Sequence, residues 1–352
     1  MSATVRVSLT AREAVPLTRR VMKKSACFLV FVLMCCHPAA IVPAQQNPHE
    51  HHHSAETRLQ VDDDRAERVL TVRHGPVDLP PHAHHLVPPI SLLTIPFDGW
   101  IVAYRPRLVD ELGARLPHRL LHHIDFFNTA RLNFLCPRYE EYIFAAGSEM
   151  QEWPSLPGLG YRVRRGDRIV VRTMFHNPTA TRFPSVYAEV RVEYRLVADG
   201  PLRNYYPAWF AATGCGPTDY DLQPGRSVKT GEFVMPYTGT LLGVGGHLHD
   251  YGRRLLLENI TRSEAIATLT PKLDFDGQML SVPTVSFTTN GGYRLSRGDV
   301  VKVTATYDSP MGHGLSGGAM GIVVGYFVPA EDREFDALVF RRSPRAPGRR
   351  TD

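Results

Sequence analysis

Cysteine is scarce in this 352-residue chain, and three of its five cysteines, Cys27, Cys35 and Cys36, fall in one N-terminal apolar run. No Cys-x-x-Cys pair and no phosphate-binding loop is present, so thioredoxin-like redox chemistry and P-loop nucleotide binding lack their signatures. Long apolar runs are missing too. The longest, around Ala26–Cys36, is too short to cross a bilayer as a helix. No sustained 3.6-residue apolar period appears, which argues against helical bundles and coiled coils.

Net charge disappears once the N-terminus is read for what it is. Met22-Lys23-Lys24, the apolar run that follows, and Val42-Pro43-Ala44 form a basic region, a hydrophobic region and a small-residue cleavage site. Residues 1–44 are therefore expected to be a secretory signal peptide, with Met22 a possible true start. Thr18–Lys24 faintly resembles a twin-arginine signal, so the export route stays open. The leader holds six of the 40 Lys+Arg and one of the 35 Asp+Glu, leaving 34 of each. The formal charge of +5 is therefore the leader's own, and a nucleic-acid reading loses its support. The expected product is exported, periplasmic or secreted. In that oxidising setting the two remaining cysteines, Cys136 and Cys215, are expected to form one disulfide.

Short β-strands fill most of what remains. Arg168–His176 runs apolar into Asn177-Pro178, and Val186–Tyr194 alternates apolar and polar residues. Arg254–Glu258, Val300–Tyr307 and Met320–Val328 read alike. Val163–Val171 and Leu295–Val303 also echo each other, each carrying Arg-Gly-Asp into a strand. Here Gly suits the turn and Asp is expected to bond the next amides. The fold class expected is all-β, as two tandem antiparallel β-sandwiches of jelly-roll type. The expected boundaries are a His-rich linker at 45–58, an N-terminal sandwich at 59–205 and a linker at 206–214. A C-terminal sandwich at 215–330 and a basic disordered tail at 331–352 complete the chain.

Histidine is abundant, at 16 residues, and clustered. His122 and His123 are adjacent, so in a regular strand they would face opposite ways. One ion could take both only at a kink or bulge. His176 ends a predicted strand in the same half. His247 and His249, in Gly-Gly-His-Leu-His-Asp, alternate and so share a face. Downstream, Met320 opens an apolar strand. Imidazoles alone fit zinc, copper or nickel, whereas a thioether favours Cu(I). Three histidines in one half and two histidines with a methionine in the other point to redox copper.

These four motifs, in this order, resemble the ligand motifs of the copper type II, ascorbate-dependent monooxygenases, the peptidylglycine α-hydroxylating and dopamine β-hydroxylase enzymes. The chain resembles the plant stress-upregulated nodulin-like proteins more closely, and these carry no assured activity to transfer. The resemblance spans most of residues 75–330. It implies an electron-transfer copper on His122, His123 and His176, and an oxygen-binding copper on His247, His249 and Met320. Two coppers per chain, O₂, ascorbate as reductant and a small-molecule substrate follow from it. The peptide-hydroxylating relatives hold a substrate carboxylate at positions that match Gly245, Ile322 and Val324 here. None of these can pair with an anion, so an uncharged substrate is expected, with Asp250 or Tyr251 as polar handles; the alternative is an anionic substrate held by Arg253 or Arg254 as a displaced clamp. Met311 and His313 are rival ligands, and His82, His84 and His85 could form a third site, although a solvated loop accounts for them. The competing reading is a non-enzymatic periplasmic copper storage or delivery protein of the same fold.

Overall fold

The structure, a computed structural model, describes residues 56–149 and 152–332. The expected signal peptide, most of the expected His-rich linker and nearly all of the expected basic tail lie outside these residues. Among the described residues there is no α-helix, only strands and three short 3₁₀ turns. All the strands read from the sequence are present. Arg168–Phe175 shows why: Ile169, Val171, Thr173 and Phe175 are buried while the residues between them are not.

A six-stranded sheet faces a four-stranded sheet across a core that includes Leu70, Tyr104, Phe126 and Phe144. A second pair of sheets, also six- and four-stranded, encloses Leu241, Leu255, Val303 and Phe327. Among the described residues every strand pair is antiparallel except the short parallel bridge of Arg203–Asn204 with Leu159–Gly160. The all-β sandwich expectation therefore holds.

The two echoing turns have the same geometry. Gly166 and Gly298 both sit at φ +89, a left-handed conformation that glycine adopts freely. The carboxylates of Asp167 and Asp299 each accept the amide three residues back, from Arg164 and Ser296, at 2.9 Å. The expected bond was to the amides that follow. The aspartate instead closes the turn backwards and starts the strand behind it.

The division into halves differs from expectation. Residues 206–214 were expected to be a linker, but Tyr206–Ala211 is a wholly buried strand paired with Leu315–Pro329. The latter strand is apolar on both faces. Met320, Ile322, Val324 and Val328 belong to the first core, and Ala319, Val323 and Phe327 to the second. Trp209 and Ala211 likewise face the first core, and Tyr206, Ala208 and Phe210 the second. One sheet is thus covered on both sides, and the described residues form one compact unit with no break near residue 210. The Cys136–Cys215 disulfide forms as expected, with Cα atoms 5.4 Å apart across a separation of 79 residues.

Candidate metal centre

The Leu121–Leu132 strand carries the first histidine pair. Its register against Arg168–Phe175 shifts between Leu121 and His123, a β-bulge centred on His122. That irregularity is what adjacent histidines need in order to share a face. The His122 and His123 rings lie edge to face with centroids 4.6 Å apart. His176 follows the partner strand, its amide held by the Leu120 carbonyl, and its ring is 5.5 Å from that of His122.

The second pair ends the Gly239–Leu248 strand, with His247 and His249 5.2 Å apart. Leu248 pairs with Gly321, which sets Met320 beside His249 in the adjoining strand. The Tyr307 hydroxyl locks this arrangement. It accepts the amides of His249 at 3.0 Å and Met320 at 3.1 Å and donates to the Met320 carbonyl. Met320 lines the same cavity, of about 1040 Å³, as His122, His123, His247 and His249. The rival thioether of Met311 instead accepts from the Tyr251 hydroxyl at 3.9 Å, and neither Met311 nor His313 lines that cavity. Asp250, Arg253 and Arg254 are absent from its lining as well, and Asp250 accepts the Met279 amide.

The two ligand sets expected in separate halves meet: the His122 ring touches that of His249 at 4.6 Å. Among the described residues no three His, Cys, Asp or Glu side chains already converge on one point as metal donors. What is present is a set of unpaired donors. His122 Nδ1, His123 Nδ1, His176 Nε2, His247 Nε2 and His249 Nε2 are all buried without a hydrogen-bond partner. Buried polar atoms are normally paired, so five orphaned imidazole nitrogens in one cluster point to a missing partner that accepts nitrogen lone pairs. The donor set fits a borderline or soft transition metal.

Electrostatics keep these rings ready to ligate. Burial pushes the His122 imidazole far down, and His249, His123, His176 and His85 push the same way. Burial likewise lowers His123, His176 and, most strongly, His249. Neutral imidazole is the ligating form. His247 differs. Burial opposes its protonation, but the Glu149 carboxylate outweighs burial and raises it. His247 Nδ1 donates to Glu149 Oε1 at 3.1 Å, and that oxygen also accepts the Gly147 amide at 2.9 Å. In the neutral ring the proton is thereby held on Nδ1, leaving Nε2 with a free lone pair, the usual carboxylate–histidine support of a metal ligand. Burial alone would raise Glu149, but His247 outweighs it and the carboxyl stays below its ordinary range.

Gly147 is required here. A Cβ on it would stand 2.7 Å from His247 Cε1 and 2.6 Å from Glu149 Oε2. Glu149 escaped sequence reasoning because it lies 98 residues from its partner with no motif around it. His85, expected in a solvated loop, has its ring 4.7 Å from His122. His82 and His84 do not line the cavity.

Fold and site together define an all-β protein with a buried, histidine-rich centre on a sheet shared by two cores. No protein-family model matches the chain, and no curated protein matches it. Among solved structures, one of infectious bursal disease virus, Gx strain, is similar at 10% identity, covering 77% of this chain and 76% of that one. Its TM-score of 0.15 carries no argument about fold or function.

Proposed function

We propose that the chain is an exported, copper-dependent monooxygenase-like oxidoreductase that hydroxylates a C–H bond of a small, uncharged substrate with O₂ and ascorbate. The observation that carries this reading is the group of five buried imidazole nitrogens without a hydrogen-bond partner, with a methionine in the wall of the cavity that His122, His123, His247 and His249 line. His122, His123 and His176 would hold one copper, and His247, His249 and Met320 the other. Copper held there would supply one-electron transfer and oxygen activation.

The chain's own residues contribute position and environment. Glu149 holds the His247 proton on Nδ1, and Tyr307 fixes the backbones of His249 and Met320. Trp209, Ala211, Ile322 and Met320 give the cavity an apolar wall that excludes water and favours an apolar substrate. Arg172 also lines the cavity, but its guanidinium is held by Asp125 at 2.7 and 2.9 Å, so its charge is already matched. The positions Gly245, Ile322 and Val324 supply no anion clamp.

A second reading, copper storage or delivery, is favoured by the direct contact of the two histidine sets through His122 and His249. Elemental analysis and EPR of the mature protein test copper content, with two ions per chain expected. Zinc at both positions after copper-replete reconstitution would rule the assignment out. Ascorbate-dependent oxygen uptake separates the enzyme from the storage protein.

A further inference from the structure

Six imidazoles crowd the centre, but the copper sets use only five of them. The sixth is His85, and its setting differs from that of the other five. It is exposed, it lies in a proline-flanked loop, and its backbone is left-handed at φ +40. A non-glycine residue held in that conformation is a reason to look for a role.

The loop is built rather than loose. Leu86 and Phe175 exchange both backbone hydrogen bonds, at 2.8 and 2.9 Å, immediately after His85. The Asn177 amide is held by the Ala83 carbonyl at 2.8 Å, and the fully buried Asn177 side chain donates to the carbonyls of Leu79, Pro80 and Thr181. The residues next to His176 thus clamp the segment that carries His85. The His85 ring lies edge to face with His122, its centroid 4.7 Å away, closer than the 5.5 Å of His176. It also lines the same cavity.

We propose that His85 is a further metal-ligating residue: the solvent-facing imidazole that captures an incoming copper ion and passes it to His122, whose Nδ1 is buried and unpartnered. The inference rests on the copper reading above. An entry ligand must be reachable from water and within a ring's width of the buried set, and His85 meets both conditions. His84, exposed one residue earlier and absent from the cavity lining, provides an internal control.

The test uses the mature chain and copper alone. His85→Gly removes the imidazole and suits the left-handed backbone, so the variant should fold and melt at least as high as the wild type. Copper uptake followed by stopped-flow should slow about tenfold or more, and the nitrogen superhyperfine pattern in the Cu(II) EPR spectrum should change. His84→Ala should change neither. A His85→Gly protein that loads at the wild-type rate with an unaltered spectrum would overturn the role of His85 while leaving the copper centre intact. A wild-type protein that takes up no copper would overturn both.

Discussion

A buried imidazole nitrogen without a partner costs roughly 1–3 kcal/mol, and this protein collects five such nitrogens in one place. A fold that concentrates that cost has to recover it, and binding a cation is the simplest way. Met320 tests the nature of the cation. Its side chain contributes to the first core and to the cavity wall, so it is both filler and candidate ligand. Replacing Met320 with Ile nearly conserves volume and should cost under about 1.5 kcal/mol in thermal unfolding. Cu(I) affinity at the His247/His249 set, measured by competition with a chromophoric chelator, should fall at least about tenfold, because isoleucine offers no soft donor. The His122 set should keep its copper. Unchanged Cu(I) affinity would show that the thioether is not a ligand.

Two irregularities at the scale of the strand place the histidines. The bulge at His122 brings neighbouring side chains to one side, and the glycine that ends Glu140–Gly147 lets His247 approach backbone. Gly147→Ala should therefore damage the site before it damages the fold. The added methyl group must displace His247 or Glu149, costing about 1–3 kcal/mol, and His247 would lose its orienting carboxylate. Copper analysis should show loss from the His247 set while far-ultraviolet circular dichroism keeps its β signature. Much of this was legible beforehand. Alternating apolar residues marked the strands, and adjacency of His122 and His123 required the bulge that is found. The shared sheet was missed, although a signal for it existed: Tyr206–Ala211 is apolar at every position, which means burial on both faces rather than a linker. Glu149 left no such signal, because a single carboxylate becomes a histidine's partner only through contacts between distant parts of the chain.

The described residues are held by one disulfide and by two cores that meet at a common sheet. The bridge joins the loop after the first core's Leu121–Leu132 strand, where Cys136 packs in the second core, to the segment after Tyr206–Ala211. Changing both cysteines to serine should lower stability by about 4 kcal/mol, by loop-closure reasoning over the 79 residues enclosed, as read by denaturant unfolding. Stability should also depend on pH through groups remote from the metal centre. His74 is fully buried between Thr173 and Ser91, and burial lowers its imidazole. Its contribution is complete above the ordinary value of 6.5 and is lost as pH falls below it. Glu141 works in the opposite sense. Complete burial raises its carboxyl to about 7, against the pull of Arg131 and of the Tyr161 hydroxyl that donates to it at 2.5 Å. A carboxyl raised in the folded state contributes stability that is full below its ordinary 4.5 and is lost as pH rises through about 7. Glu141→Gln removes that titration while keeping an acceptor for Tyr161. The metal-free variant should therefore gain on the metal-free wild type progressively as pH rises from about 4 to about 8. Other titrating groups, His74 among them, cancel in the difference between the two proteins. A difference in melting temperature that stays level across that range would mean that Glu141 is ionised in the folded protein throughout, held so by Arg131.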